Sequence, residues 1–598
     1  LRFQFTLQKS LPSTRTWERF RPTGKLGYIP GKDSARFRVF APRAEKVELL
    51  LPTSDTKEKR ISMNKENDGC WSCEVDNEAE GKPYLFGITH PGTGEKQSFE
   101  KKILDPYARA CLGRNGPGLA LTPLDEIETK KIFQPPEMKD LVIAEAHLRD
   151  LLAKAPIELD PPERLEFRGL SRWLKSKDCY LRKLGVNAVE LQPVVEFDAK
   201  NKEEYHWGYM PVNFFSPASV YGSNQETGNS IPEFKELINS FHEANISVIL
   251  DVVYNHVGIP PHLLNLDRNL HFRTDEFGRL QNHSGCGNDL KCEAEPVKKL
   301  ILDSLIYFVK TFDVDGFRFD LGELLGIELL REIEAELKKI KPGIILITEP
   351  WSFRGRLPLE INQTGYAQWS DNCREKILDF ILGRGHKADA IALLQGSLDK
   401  TNRFFWQSVN YLESHDDYTL IDRLCDLMNP EEDGISTDTI KRAKLGIVLL
   451  LLSPGVPMIA AGQDLLRHKQ GVRNTYLRGD LNELNYDACE TKEKFSEEIR
   501  NLIRLRLSEK GALFRPSSPK ERDCSELFQD EGDCLGIRIS TKSKDQIFYL
   551  FLNAGNQEKK DMIPLDILAG ANILSGNQES MQTGNLTALD YVLFEASA

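Results

Sequence analysis

The sequence has 598 residues, more than one hydrophobic core normally serves, so about two to four domains are expected, one of them large enough for a barrel. Its 90 acidic and 78 basic residues leave a formal net charge of -12, with no basic excess to displace counterions from a phosphate backbone. That balance argues against a nucleic-acid partner and suits a neutral substrate such as carbohydrate. No apolar run approaches the roughly 18 residues that a membrane span requires, and the longest, LGIVLLLL at 445–452, reads as a buried helix.

The 11 cysteines are an odd, scattered set rather than the dense framework of a small disulfide scaffold, which points to reduced thiols in a cytosol-like compartment. The expectation is therefore cytoplasmic, with a plastid stroma the alternative if a targeting segment has been removed, since the chain does not begin with Met. Cys70 and Cys73 in DGCWSCEV have CxxC spacing, but no second pair completes a zinc site, so they read as strand thiols.

From residue 26 to 88 the pattern alternates, with Phe37 and Val39 in ARFRVFAP and Val47, Leu49 and Leu51 in KVELLLP, which predicts a small β-sandwich. Residues 112–136, rich in Gly, Pro and charge, read as a linker. From Leu141 onward short apolar strands alternate with amphipathic helices, the pattern of parallel βαβ units. LVIAEAH (141–147), VNAVELQP (186–193) and ISVILDVV (246–253) are the first strands, with Phe234, Leu237, Ile238 and Phe241 marking a helix between the last two. GFRFD (316–320), IILITEP (344–350), SVNYLESH (408–415) and PMIAAG (457–462) follow, and a further strand is expected between Asp371 and Phe405.

The segment after ISVILDVV, through HFRTDEFGRLQNHSGCGNDL, is too long for a plain connection and reads as a binding loop. CLGIRIS and QIFYLFLN then return to β alternation, predicting a C-terminal sandwich. The expected organisation is an N-terminal β-sandwich module over 1–135, a (β/α)8 TIM barrel over 136–510 and a C-terminal β-sandwich over 511–598.

Three of the barrel segments deliver carboxylates at or just past their ends: Asp320, Glu349 and Asp416. A parallel barrel gathers such groups at the C-terminal ends of its strands, and a retaining glycosidase needs two of them across one glycosidic bond. Arg318, two residues before Asp320, lies on the same side of its strand, whereas Phe317 and Phe319 point outward.

The strings DVVYNHV (251–257), GFRFDL (316–321), ITEPW (347–351) and NYLESHDD (410–417), supported by HWGYMPVNFF and GVPMIAAGQD, resemble the α-amylase superfamily of glycoside hydrolases, in that family's order. ARFRVFAPRAEKVELLLP and LDPYARA are similar to the carbohydrate-binding-type module that precedes isoamylases, pullulanases and branching enzymes, so the resemblance covers nearly the whole chain. It implies a catalytic set of Asp320 as nucleophile, Glu349 as general acid and base, and Asp416 as the carboxylate gripping sugar hydroxyls. It further implies substrate contacts from Tyr209 as a stacking platform, Asp251, His256, Arg318, Trp351 and His415.

FRFDL, EPW, SGCGNDL and AAGQDLLRHKQGVRNTY look like the debranching group, which implies cleavage of α-1,6 branch linkages in glycogen- or starch-type glucans, with a branched α-glucan as the partner and no membrane. A glycogen-branching glucanotransferase shares the same carboxylates, and a non-catalytic glucan-binding scaffold is the reading from another class. Asp251 and Asn255 occupy a segment that holds a structural calcium in some relatives, but no carboxylate cage is evident, so no metal and no cofactor is expected. Asp417 stands where Asn is expected after the His-Asp pair.

Overall fold

The computed structural model describes residues 14–52, 58–76, 79–91, 98–126, 132–396, 402–428, 435–528, 532–568 and 570–596. At its centre, eight parallel strands close into a barrel: β1 (Ile143–Ala146), β2 (Ala188–Leu191), β3 (Ser247–Val252), β4 (Gly316–Phe319), β5 (Ile345–Thr348), β6 (Ala367–Ser370), β7 (Ser408–Asn410) and β8 (Val456–Ala460). The ring shuts where Ile143 pairs with Met458 and Ala144 with Ile459.

Strand alternation sorts the side chains. Ile143, Ala188, Ile249, Ile345, Val409 and Met458 fill the barrel interior, while Val142, Val189, Val248, Phe317, Phe319 and Leu346 pack outward in the core shared with the helices. The outward direction expected for Phe317 and Phe319 therefore holds. The helix Ser230–Glu243 presents Phe234, Leu237, Ile238 and Phe241 to that core, each fully buried.

The sixth strand lies at Ala367–Ser370, just before Asp371 rather than between Asp371 and Phe405. That interval holds the helices Asp371–Ile381 and Lys387–Gln395 among its described residues. AQWS is only four residues long and mixes polar with apolar positions, so it carries no strand pattern of its own; pairing with β5 and β7 makes it a strand. The long segment after β3 is also more ordered than a plain loop, for it contains the helix His262–His271. Its SGCGNDL part is folded by Asp289, which accepts from the amides of His283 (2.7 Å) and Ser284 (2.9 Å).

The N-terminal module consists of two antiparallel sheets. Gly27–Ile29, Ser34–Phe40, Cys70–Asp76 and Asn64–Lys65 form one, and Glu58–Ser62, Lys46–Pro52, Pro83–His90 and Phe99–Ile103 form the other. Phe37, Val39, Val47 and Leu49 are buried in their common core, as their alternation predicts. Leu51 packs at its edge, partly buried. Cys70 and Cys73 are both buried free thiols, facing different clusters three residues apart on one strand. The expected linker is in part structural: Gly118–Leu119 pairs with the strand Pro83–His90, and the carbonyl of Arg114 bonds the His262 ring at 2.8 Å.

The C-terminal strands Arg522–Glu526, Cys534–Thr541, Ile547–Asn553, Asp590–Ala596 and Asn572–Gly576 form one five-stranded antiparallel sheet, in that spatial order. Among the described residues no second sheet covers it. One face instead joins the large core of the barrel through Ile537, Ile539, Phe548, Leu550 and Leu593, and the other carries a small cluster around Phe551, Val592 and Phe594. The helix Thr437–Leu452 is apolar on all sides at 445–452 and entirely buried there, because it packs in that shared core. No described helix is long and apolar enough to cross a membrane.

Gly316 begins the strand that carries Arg318, and a Cβ there would stand 2.5 Å from the Ile345 carbonyl oxygen and 2.6 Å from Ile345 Cβ. Gly316→Ala is expected to destabilise the fold by about 1–3 kcal/mol through overpacking, read by denaturant unfolding. A variant as stable as the parent would show that the β4–β5 contact is looser than described.

Candidate active site

The centre of the upper barrel is a guanidinium. Arg318 sits opposite Asp251 in the β3–β4 register, and its side chain has no solvent exposure. Its Nη1 donates to both Asp251 oxygens (3.0 and 2.9 Å) and to Asp320 Oδ1 (3.0 Å), and its Nη2 donates to Glu349 Oε2 (3.0 Å). The guanidinium carbon lies 4.2 Å from the centroid of Trp369, which projects inward from β6. Three carboxylates raise the affinity of Arg318 for its proton far beyond what burial takes away.

Asp320 follows the last residue of β4, and its second oxygen accepts from Asn255 Nδ2 at 2.8 Å, which also donates to the Asp320 carbonyl at 2.9 Å. Glu349 follows the last residue of β5 and also accepts from the Leu321 amide at 2.8 Å. Burial pushes the Glu349 carboxyl up to about 8; the charges of Asp320 and Asp416 add to this, while Arg318 and the Leu321 amide oppose it. Burial also pushes Asp251 up to about 6, against Arg318 and with Asp320. The two acids at the ends of neighbouring strands thus share one guanidinium yet have different surroundings.

Asp416 stands at the rim, its side chain 61% exposed, with Oδ2 3.5 Å from His415 Nε2. His415 is buried. Burial opposes its charge, but Asp416 and Glu145 outweigh that and lift it to about 9. Tyr209 stacks on the His415 ring (4.6 Å between centroids, 17°) and donates from its hydroxyl to Asp251 Oδ2 at 2.6 Å, so it joins the network by its oxygen. Trp351 begins a two-stranded hairpin with Arg356 beside its ring (5.1 Å), half-buried and outside the guanidinium network.

His256, expected as a sugar contact, has Nε2 2.7 Å from the Tyr209 carbonyl and Nδ1 beside Asn255 Oδ1, which orient its ring. Burial keeps it below the ordinary histidine value, so the neutral ring donates to only one of these oxygens. Asp251 and Asn255 direct their groups to Arg318, Tyr209, His256 and Asp320 rather than to an outer cage. Asp417 pairs with Arg473 at 2.6 Å on the exposed side of the loop.

Two residues of the site are not singled out by the sequence motifs. Glu145 on β1 approaches His415 Nδ1 at 2.6 Å, and Glu190 on β2, its partner in the β1–β2 register, is fully buried with no hydrogen-bond partner on either oxygen. Burial and the nearby Asp251 charge hold Glu190 far above the usual carboxylate range. The available signal is an acid at an inward position in the apolar runs IAEA and AVEL.

Residues 25–108 match the model of carbohydrate-binding module 48 (isoamylase N-terminal domain), and residues 168–263 match that of the alpha amylase catalytic domain. A pullulanase of Bacillus subtilis is 30% identical over 559 residues, covering 84% of this chain and 74% of that protein. The chain belongs to the α-amylase family, in its debranching group. Isoamylase 3, chloroplastic, of Oryza sativa subsp. japonica is 29% identical over 651 residues, covering 90% of this chain and 80% of its own. The crystal structure of pullulanase type I from Bacillus subtilis, complexed with maltose, superposes with a TM-score of 0.85 at 27% identity, covering 98% of this chain and 87% of that one.

In this α-amylase family member the guanidinium is what permits so many acids to share one interior. Arg318→Met is expected to cost about 3–5 kcal/mol by leaving its carboxylates uncompensated. The loss should be larger at pH 8 than at pH 5. Asp251 and Glu349 are already raised, so the native state binds protons that the unfolded chain releases, and stability falls as pH rises. Urea unfolding at the two pH values checks this; an equal or smaller loss at pH 8 contradicts it.

Proposed function

We propose that the protein is a retaining glycoside hydrolase that opens α-1,6 branch linkages of glycogen- or starch-type glucans by double displacement. The observation that carries the reading is the single buried guanidinium shared by a strand-end carboxylate with both oxygens hydrogen-bonded, Asp320, and a strand-end carboxyl held protonated to about pH 8, Glu349. A carboxyl kept protonated by its surroundings beside a carboxylate answered by N–H donors is what acid and nucleophile require.

In the first step Asp320 Oδ attacks the anomeric carbon of the branch chain while Glu349 gives its proton to the glycosidic oxygen; the C1–O6 bond breaks, the branch chain stays on Asp320 as a glycosyl ester, and the main chain leaves with the 6-hydroxyl so formed. In the second, Glu349, now a carboxylate, takes a proton from water, whose oxygen attacks the anomeric carbon and releases Asp320. Positive charge developing on the ring meets Asp320, and Asp416 holds sugar hydroxyls alongside His415, a role that its exposed position at the rim supports. Tyr209 offers its aromatic face to the apolar face of the glucosyl ring.

Pullulanase and isoamylase are the names carried by the relatives, which supports hydrolysis at branch points over glucan transfer. Pullulanase from Bacillus subtilis is described in complex with maltose, which supports an α-glucan ligand here.

With amylopectin, iodine colour and reducing ends should both rise; falling iodine colour without new reducing ends would make the protein a branching transferase. Asp320→Asn is expected to lower turnover by about 10^3-fold or more while the fold and glucan affinity persist, and undiminished turnover would remove Asp320 from the nucleophile role. Because Glu349 must be protonated to act as the acid, kcat/KM should fall as pH rises through about 8. A profile flat to pH 10 would contradict that assignment.

A further inference from the structure

The barrel interior contains an acid, Glu145, that the double displacement does not use. β1 is apolar except for Glu145, which is 3% exposed, and a carboxylate so placed is costly unless a donor answers it. Its partner is His415 Nδ1, 2.6 Å away and 270 positions distant in sequence, brought there by the closure of the barrel, with the Tyr209 hydroxyl a longer 3.3 Å from the same nitrogen. The other surroundings of the imidazole define its orientation. Tyr209 stacks on one side, Trp207 meets the ring edge-on (5.1 Å, 84°), and Lys469 Nζ donates to the His415 carbonyl at 2.9 Å. The remaining nitrogen, Nε2, lies 3.5 Å from Asp416 Oδ2, on the exposed side.

We infer that Glu145 is a positioning residue for glycosyl transfer: by accepting from Nδ1 it fixes His415 as an imidazolium whose Nε2–H is directed to the sugar and to Asp416. This rests on the hydrolase mechanism proposed for the site. A neutral imidazole bonded at Nδ1 would leave Nε2 as an acceptor, unable to donate to a sugar hydroxyl oxygen or to the Asp416 carboxylate. Keeping both nitrogens protonated requires a negative partner behind the ring. Glu145 supplies it from inside the barrel and Asp416 from the rim, with Glu190, Asp251, Arg318, Lys469 and the Tyr209 phenol as the other charged or titratable groups around the ring. Arg318 and Lys469 act against the imidazolium. Glu190 has no donor on either oxygen and is held far above the usual carboxylate range, so it adds little negative charge, and Glu145 is the acid behind the ring that is hydrogen-bonded to it.

The test uses the full chain. With 13C-labelled histidine, the 11 ring signals can be titrated, and His415 assigned from the one lost in His415→Asn. His415 should stay cationic to about pH 9 in the parent and lose its proton about one pH unit lower or more in Glu145→Gln. On amylopectin, Glu145→Gln should lower kcat/KM at pH 7 by about 10–100-fold. In the His415→Asn background it should change kcat/KM by no more than about twofold, as a residue acting through His415 must.

An unmoved His415 titration, or a Glu145→Gln loss undiminished in the His415→Asn background, overturns the inference. Should Glu145→Gln not fold, Glu145→Asp, which keeps the charge but ends a methylene farther away, is expected to lower the His415 midpoint by a smaller amount; no shift there overturns the inference in the same way. Asp320→Asn keeps the two proposals separable. Full activity in that variant would defeat the hydrolase mechanism while leaving the His415 titration to decide on Glu145.

Discussion

The barrel is organised around a charge that cannot reach water. A fully buried guanidinium is tolerable only if its donors are answered, and Arg318 is answered from three strands at once, by Asp251 on β3, Asp320 beyond β4 and Glu349 beyond β5, with the indole of Trp369 from β6 against its face. These partners meet only when the register is right, since a slip of one residue would turn each inward side chain outward. The pairing of Asp251 with Arg318 across β3 and β4 is therefore a condition of folding as well as of chemistry.

The same interior has more acid than base. Glu145, Glu190, Asp251, Asp320 and Glu349 face Arg318 and His415, so some carboxyls must keep their protons. Burial, neighbouring charge and donors together decide which. Asp320 has both oxygens bonded, by Arg318 and Asn255, Glu190 has neither bonded, and Glu349 takes both its donors, Arg318 and the Leu321 amide, on one oxygen. The division of labour between the strand-end acids follows from their surroundings rather than from any difference in the acids themselves, because burial and the charges of Asp320 and Asp416 outweigh the two N–H groups on Glu349.

Much of this is legible in the sequence where local pattern and chemistry coincide. GFRFD shows by its period of two that Arg318 and Asp320 share one side and that the phenylalanines face the helices, as they do. The sixth strand is not legible, because AQWS has no apolar run and its strand character comes from neighbours 20 and more positions away in the chain. Glu145 is visible as an acid inside an apolar strand, but its partner is not. Whether such an acid is paired depends on what closes the ring opposite it, and His415 arrives from the far end of the barrel. The setting of His256 is hidden for a related reason: nothing in its motif shows that the backbone carbonyl of Tyr209 lies against its second nitrogen.

The helix Thr437–Leu452 has a consequence for the way the chain can be divided. Its apolar surface is not a stripe but a whole circumference, closed off on one side by the barrel and on the other by the C-terminal sheet. The sheet is thus the outer wall of the barrel's own core and not an appendage tethered by a linker. A shortened chain ending at the barrel would present leucines to solvent along that helix and be prone to self-association, and the evolutionary gain or loss of the sheet would have required simultaneous recolouring of the helix from apolar to polar.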